Sequence, residues 1–257
     1  MANLYYRDDL DAEAFEPGAV LEISGDEARH AVRVARLRVG ERTTVGNGRG
    51  AIGTGEVVRA DRDRFSVRLQ EARVDPRPDV ELVLVQALAK GDRDERAVEQ
   101  ATEFGVDAIV PWQAARSVSR WDGGGAGDSE KRAKGVAKWA RIAREAAKQS
   151  VRAHAPEVRE PMTLGELCAL AGGEGSEVLV LHPRGAESLS GWASARLGPG
   201  TRRVHAVVGP EGGLGDDEID ALATAGAHVV VLGDTVLRTS SAGPAALAVL
   251  NVALGRW

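Results

Sequence analysis

The chain has 257 residues, is 43% hydrophobic and 28% charged, and carries a formal net charge of −5 with one cysteine and five histidines. That length and apolar content support one large domain or two small ones with packed cores, and no run of about 18 apolar residues marks a membrane span. The lone Cys168 excludes an internal disulfide and fits a reducing cytosol, the scattered histidines lack zinc-ligand spacing, and the polar, acidic N-terminus is unlike a secretory signal.

Residues 8–28 hold eight carboxylates and no Lys or Arg, whereas residues 29–73 hold eleven Arg against five acids. Apolar runs at Val20 to Ile23, Thr43 to Val45, Gly53 to Val58 and Phe65 to Leu69 read as short strands separated by turns. Asp26 to Arg36 reads as the one helix among them, capped by Ser24 or Asp26. The result is a small, mostly β, barrel-like module. Gly48-Arg49-Gly50-Ala51-Ile52-Gly53 has the spacing of a dinucleotide fingerprint, but it lies among short strands with no helix after it and reads as a hairpin turn. Asp75-Pro76-Arg77-Pro78-Asp79 marks a boundary, because two prolines two apart continue neither a helix nor a central strand. It divides the chain into domains 1–75 and 76–257.

Beyond it, strand and helix signals alternate, the pattern of an α/β domain with a mainly parallel sheet and helices on both faces. Val80 to Leu88 and Ala108 to Trp112 read as strands, with an amphipathic helix from Asp92 to Phe104 between them, ended by Gly105. Gly123-Gly124-Gly125-Ala126-Gly127 reads as a flexible loop, and Glu130 to Gln149 as a basic helix. Residues 131–152 hold eight basic residues against Glu145 alone. Val178 to Leu181 is a strand that ends at His182-Pro183.

Two basic blocks in an acidic protein fit a localised phosphate-contacting surface, the alternative for each being a solvated helix face. Arg7, Arg33, Arg36 and Arg38 are the candidates around the first block, and Lys138, Arg141, Arg144, Lys148 and Arg152 in the second, where spacings of three and four place many on one helix face. Arginine greatly outnumbers lysine beside abundant Ala, Gly and Val, a bias that makes arginine richness alone weak evidence for RNA.

Two glycine-bearing loops near the C-terminus carry most of the functional information. Val207-Val208-Gly209-Pro210-Glu211-Gly212-Gly213-Leu214-Gly215 follows a strand run from His205, and Asp216-Asp217 then opens a helix that ends near Gly226. The second loop runs from Leu232-Gly233 through Leu237-Arg238-Thr239-Ser240-Ser241 after a strand at Val229 to Leu232. Pro244 is placed at the first position of an almost wholly apolar helix, Ala245 to Leu254. Paired strand–loop–helix units bring backbone groups together at the carboxyl ends of parallel strands, where α/β proteins bind ligands.

Gly209-Pro210-Glu211-Gly212-Gly213 followed by Leu232-Gly233 and Leu237-Arg238-Thr239 resembles the knotted methyltransferases of the SPOUT superfamily, and within it the bacterial 16S ribosomal RNA uridine-N3 methyltransferases. Arg29 to Leu37, Lys90 with Glu99 to Val106, and Glu145 to Arg152 followed by Pro156 resemble further motifs of that family, so the likeness spans nearly the whole chain. Where many members have Glu or Thr, Ser240-Ser241 stand here, and no carboxylate role carries over to them. The resemblance implies a PUA-like β-barrel RNA-binding domain and a catalytic domain with a C-terminal trefoil knot. It also implies S-adenosylmethionine as cofactor, 16S ribosomal RNA in the small subunit as partner, and a homodimer.

That cofactor bears an adenine and a sulfonium rather than a pyrophosphate, so it needs an apolar slot with backbone donors and acceptors. Leu181, His182, Pro183, Gly209, Gly212, Leu232, Gly233, Leu237, Arg238, Thr239 and Ser240 are its expected lining. Arg238 is the sharpest catalytic candidate: a guanidinium beside uracil N3 stabilises the charge that develops on the flanking carbonyls as the imide proton leaves. The competing role for Arg238 is an ion pair with Glu211. Glu211 is the only side chain offered as a general base, although the helix dipole and Arg238 both weaken it. Two rival readings share the fold: a non-catalytic RNA-binding assembly factor, and a sister methyltransferase acting on ribose hydroxyls or transfer RNA.

Overall fold

The computed structural model describes residues 4–122, 125 and 127–257; Gly123, Gly124 and Ala126 of the glycine-rich stretch lie outside them. The chain forms two compact units, the first comprising residues up to Arg77 together with Ala147–Ala155, the second Pro78–Ala146 and Pro156–Trp257.

In the first unit the strands β1 (Leu4–Tyr6), β2 (Val20–Ser24), β3 (Arg42–Gly46), β4 (Ala51–Ala60) and β5 (Arg64–Val74) form one sheet in the order β1-β3-β4-β5-β2. Only the β1–β3 pairing is parallel. Alternation sets the buried face: Leu21 and Ile23 point inward while Val20, Glu22 and Ser24 point out. The core adds Val45, Val57, Phe65, Val67 and Leu69, and Tyr5 meets Phe65 edge-on at 5.1 Å. Among the described residues no ladder joins the edge strands β1 and β2, so the sheet curls over its core without closing into the expected barrel. The expected helix is α1 (Gly25–Arg29) continued by a π-helical turn over His30–Val34, and Arg36 beyond it is left-handed at φ 57°.

The segment 147–155 was expected in the second domain but lies in the first unit. Ala147 and Ala153 pack on Leu4, Tyr6 and Ile52, and the backbone of Gly50 and Ala153 pairs at 3.0 Å. Tyr6 donates its hydroxyl to the Arg152 carbonyl at 2.6 Å. β1, which makes half of that contact, is too short to be recognised as a sequence run.

A bulge at Gly55 bends β4 against β5, and a Cβ there would stand 2.0 Å from the Arg68 carbonyl oxygen. Because backbone rather than a mobile side chain is in the way, Gly55→Ala is expected to cost about 2–3 kcal/mol. A denaturant melt followed by circular dichroism that matches the parent protein would refute this.

The second unit holds a seven-stranded sheet of β6 (Glu81–Ala87), β7 (Ala108–Trp112), β8 (Glu157–Val158), β9 (Ser176–Leu181), β10 (Glu187–Ser188), β11 (Arg203–Val208) and β12 (His228–Val231). The order is β10-β12-β9-β11-β6-β7-β8 and every pairing is parallel. Helices cover both faces, which is why β6, β9 and β11 read as continuous apolar runs. Leu82 and Leu84 face one core with Trp139, Trp192, Leu247 and Leu250; Val83 and Val85 face the other with Leu167, Ile219 and Leu222. The helices are α2 (Arg93–Glu103), α3 (Asp128–Gln149), α4 (Leu164–Ala171), α5 (Leu189–Arg196), α6 (Asp216–Thr224) and α7 (Thr239–Ala253).

α7 begins five residues earlier than Pro244 suggests, with Arg238 as its N-cap and the proline inside. Pro244 can donate nothing to the Ser240 carbonyl. The helix tolerates this because Gly243, Pro244, Ala246 and Leu247 are all buried against the sheet and packing outweighs the lost bond. No helix among the described residues is long and apolar enough to cross a membrane.

Candidate active site

All seven strands of the second unit end at the same edge, and the chain reverses direction across the sheet there, since β7 and β8 extend one way from β6 and β9 to β12 the other. Two adjoining cavities open at that edge, the position where doubly wound sheets hold ligands. The larger, of about 480 Å³, is lined by the ends of β9 and β11, the Gly209–Leu214 loop and Val236 to Thr239. The smaller, of about 340 Å³, is lined by Leu181 to Pro183 and the loop from Val231 to Leu237.

The two glycine loops lie side by side. Thr239, buried at the start of α7, donates its hydroxyl to the Gly209 carbonyl at 2.7 Å and accepts from Gln86 Nε2 at 2.9 Å. One side chain thus joins the ends of β6 and β11 to the first turn of α7. At Gly209 a Cβ would meet the Leu214 side chain at 3.0 Å, so the residue must be small for the loop to fold over Leu214.

Leu181, His182, Pro183, Gly209, Leu237, Arg238 and Thr239 line the larger cavity, and Leu232 and Gly233 line the smaller one. Gly212 and Ser240 are in neither lining. Gly212 turns outward, where its carbonyl accepts from Arg116 at 3.2 Å, and Ser240 sits in the first turn of α7 behind Thr239. Val236, between the cavities, is 80% exposed.

His182 is oriented by the backbone. Its N–H donates to the Val230 carbonyl at 3.1 Å, and its Nδ1 accepts the Arg184 N–H at 3.2 Å. Burial, reinforced by the Arg184 cation, lowers its pKa, so the ring is a neutral acceptor that shapes the turn. The Arg184 side chain reaches across to Asp216 at 2.9 Å and Asp220 at 3.0 Å on α6.

Glu211 does not pair with Arg238. Its Oε1 accepts the Lys90 N–H at 2.7 Å and Arg93 Nη1 at 2.6 Å. Burial pushes the carboxyl up, but the Arg93 hydrogen bond and the backbone donors outweigh it and hold the pKa below the usual range. A carboxylate stabilised in this way is a weakened proton acceptor, and its two contacts tie the Lys90–Arg93 segment to the first glycine loop. Arg238 is exposed on the lining of the larger cavity, and among the described residues its guanidinium has no hydrogen-bond or ion-pair partner. Among the described residues there is no group of three or more potential metal ligands.

Sequence reading missed two residues here. Gln86 is an amide within an apolar strand run and is wholly buried with its Oε1 unpaired; a polar group at such a position is a signal in itself. Arg93 is the first residue of α2, where the helix dipole disfavours a cation.

The basic blocks resolve unevenly. In the first unit Arg33, Arg36 and Arg38 are exposed. Arg7 is instead held in a two-pronged contact with Asp9 at 2.8 Å, which keeps that carboxyl down at about 2. Lys148 is largely buried against Glu27 at 3.0 Å, and Arg152 gives its carbonyl to Tyr6. In the second unit Arg141 is exposed, Arg144 is half-buried and Lys138 pairs with Glu95. Lys148 is therefore engaged in a largely buried ion pair and Arg7 in a surface one, which leaves both cations less available than Arg33, Arg36, Arg38 and Arg141.

Comparisons with known proteins agree with this architecture. Residues 76–251 match the RNA methyltransferase domain family and residues 23–70 the RNA methyltransferase PUA domain. The ribosomal RNA small subunit methyltransferase E of Mycobacterium tuberculosis is 41% identical over 262 residues, covering 100% of this chain and 94% of its own. The protein of the same name from Bacillus subtilis is 28% identical over 253 residues, covering 95% and 94%. The Legionella pneumophila protein Lpg2936, solved in complex with the bound cofactor SAM, superposes with a TM-score of 0.81 at 30% identity over 98% of each chain. The Neisseria gonorrhoeae ribosomal RNA small subunit methyltransferase E shares the fold, with a TM-score of 0.80 at 24% identity over 98% of each chain. The chain belongs to the RNA methyltransferase family.

Proposed function

We propose that this chain transfers the methyl group of S-adenosylmethionine to N3 of a uridine in small-subunit ribosomal RNA, acting in the cytoplasm as a homodimer. The observation that carries the reading is the pair of glycine loops joined through Thr239 around two cavities, with the Arg238 guanidinium, unpaired among the described residues, on the lining of one. The relatives that share the whole chain are named for small-subunit ribosomal RNA methylation, and one structural neighbour carries bound SAM.

The residues fit that cofactor. Leu181, Leu232, Gly233 and Val236 offer apolar walls and open backbone groups, and Asp234 stands on the same lining as an acceptor for ribose hydroxyls. When bound, that cofactor would supply an electrophilic sulfonium methyl for transfer to N3, leaving as the neutral thioether. Arg238 sits where it stabilises the imide anion that must form first, and the N3 proton passes to water. Glu211 keeps the first glycine loop in place, and His182 fixes the turn after β9.

On this reading the first unit and the exposed face of α3 position RNA through Arg33, Arg36, Arg38, Arg141 and Arg144, and phosphate contacts of that kind set register rather than choose the base. A second copy covers the apolar strip along α5 and α7, where Ala248, Val249 and Val252 line a shallow groove and Val252 is 64% exposed. Leu247 and Leu250 belong to the interior of the unit and take no part in that surface. A C-terminal trefoil knot belongs to the same reading. Ribosomal RNA nucleosides from cells lacking this gene are expected to lose 3-methyluridine from the small subunit on mass spectrometry. An unchanged level would overturn the assignment.

A further inference from the structure

Arg93 is a second cation on the larger cavity, and the reaction as described gives it no task. It opens α2, where its charge opposes the helix dipole, so the helix itself gains nothing from a cation at that position. Glu211 holds it there: Arg93 Nη1 and the Lys90 N–H converge on the same carboxylate oxygen at 2.6 and 2.7 Å. Among the described residues no other hydrogen bond of the guanidinium is recorded, so most of its five N–H donors remain for a ligand.

We propose that Arg93 is a substrate-contacting residue, whose remaining donors take one of the two carbonyl oxygens flanking the reactive imide nitrogen while Arg238 takes the other. This rests on the uridine-N3 reading. The argument is one of chemical symmetry. Loss of the N3 proton to water spreads the charge over both flanking oxygens, so one guanidinium answers half of it and two answer all of it. The pair also selects the base: cytosine presents an amino donor in place of one carbonyl, and a donor facing an arginine leaves both groups unpaired. Glu211 is then a positioning residue that aims Arg93, which explains why its carboxylate is spent on that contact.

The test uses the full-length protein, S-adenosylmethionine and undermethylated small ribosomal subunits from cells lacking the gene. With saturating cofactor, Arg93→Met is expected to slow single-turnover formation of 3-methyluridine by about 30- to 100-fold near pH 7. The deficit narrows as pH rises, because hydroxide then removes the proton that the guanidinium no longer helps to release. Arg93→Lys recovers part of the rate, and calorimetry gives the same cofactor affinity for all three proteins. A rate near that of the parent overturns the proposal. So does a deficit that is constant across pH, or one that tracks lost cofactor binding, since either assigns Arg93 to the fold or to the cofactor. If the unaltered protein binds cofactor yet forms no 3-methyluridine, the uridine-N3 reading itself fails, and that is visible before any variant is made.

Discussion

Arg238→Ala is expected to lower single-turnover methylation by about 10²- to 10³-fold while S-adenosylmethionine still binds, the range found when one donor is removed from a site of developing negative charge. The fold has little stake in this side chain. Its structural service is through the backbone: the Arg238 carbonyl accepts the Ser241 and Ala242 N–H groups at 2.8 and 3.0 Å, and alanine keeps both. The side chain is exposed and no ion pair involving it is recorded among the described residues, so truncation strands no buried carboxylate. Loss of rate with an unchanged melting temperature and unchanged cofactor calorimetry is therefore the signature to look for. Turnover close to that of the parent would remove Arg238 from the chemistry.

Thr239→Val is expected to damage both stability and catalysis. The hydroxyl is donor to Gly209 and acceptor for Gln86 at once, and valine fills the same space with neither function. The Gly209 carbonyl loses this donor, while Gln86 Nε2 keeps only the Ala87 carbonyl at 3.2 Å, so a cost of about 1–3 kcal/mol is expected. Gln86 already has an unpaired Oε1 and cannot compensate. The loops it joins would separate, and cofactor affinity should fall with stability. Thr239→Ser keeps the hydroxyl and should restore most of both. Chemical denaturation and calorimetry on the three proteins decide the matter: a valine variant as stable as the parent would show that the bond contributes nothing net.

Much of this was legible along the chain. β7 spans the same residues that its apolar run marks, and β6, β9 and β11 differ from theirs by a residue or two at the ends. The paired glycine loops, read as neighbours, are hydrogen-bonded neighbours. Gly212 and Ser240 belong to the same motifs as the lining residues but are in neither lining, because a motif records which segment is used and not which of its atoms reach the cavity. The start of α7 was misplaced because Pro244 is a strong local signal and the packing that overrides it is not local.

The sequence by itself determined the alternation of strand and helix, the two-part organisation and the segments that build the site, since periodicity, proline and glycine act over a few residues. The tertiary structure alone decided which charges are spent and which are available. Glu211 finds Arg93 across 118 residues because β11 pairs with β6, and Lys148 finds Glu27 across 121 because the end of α3 belongs to the first unit. Ion-pair partners are fixed by proximity in space, which strand order creates and residue spacing does not encode.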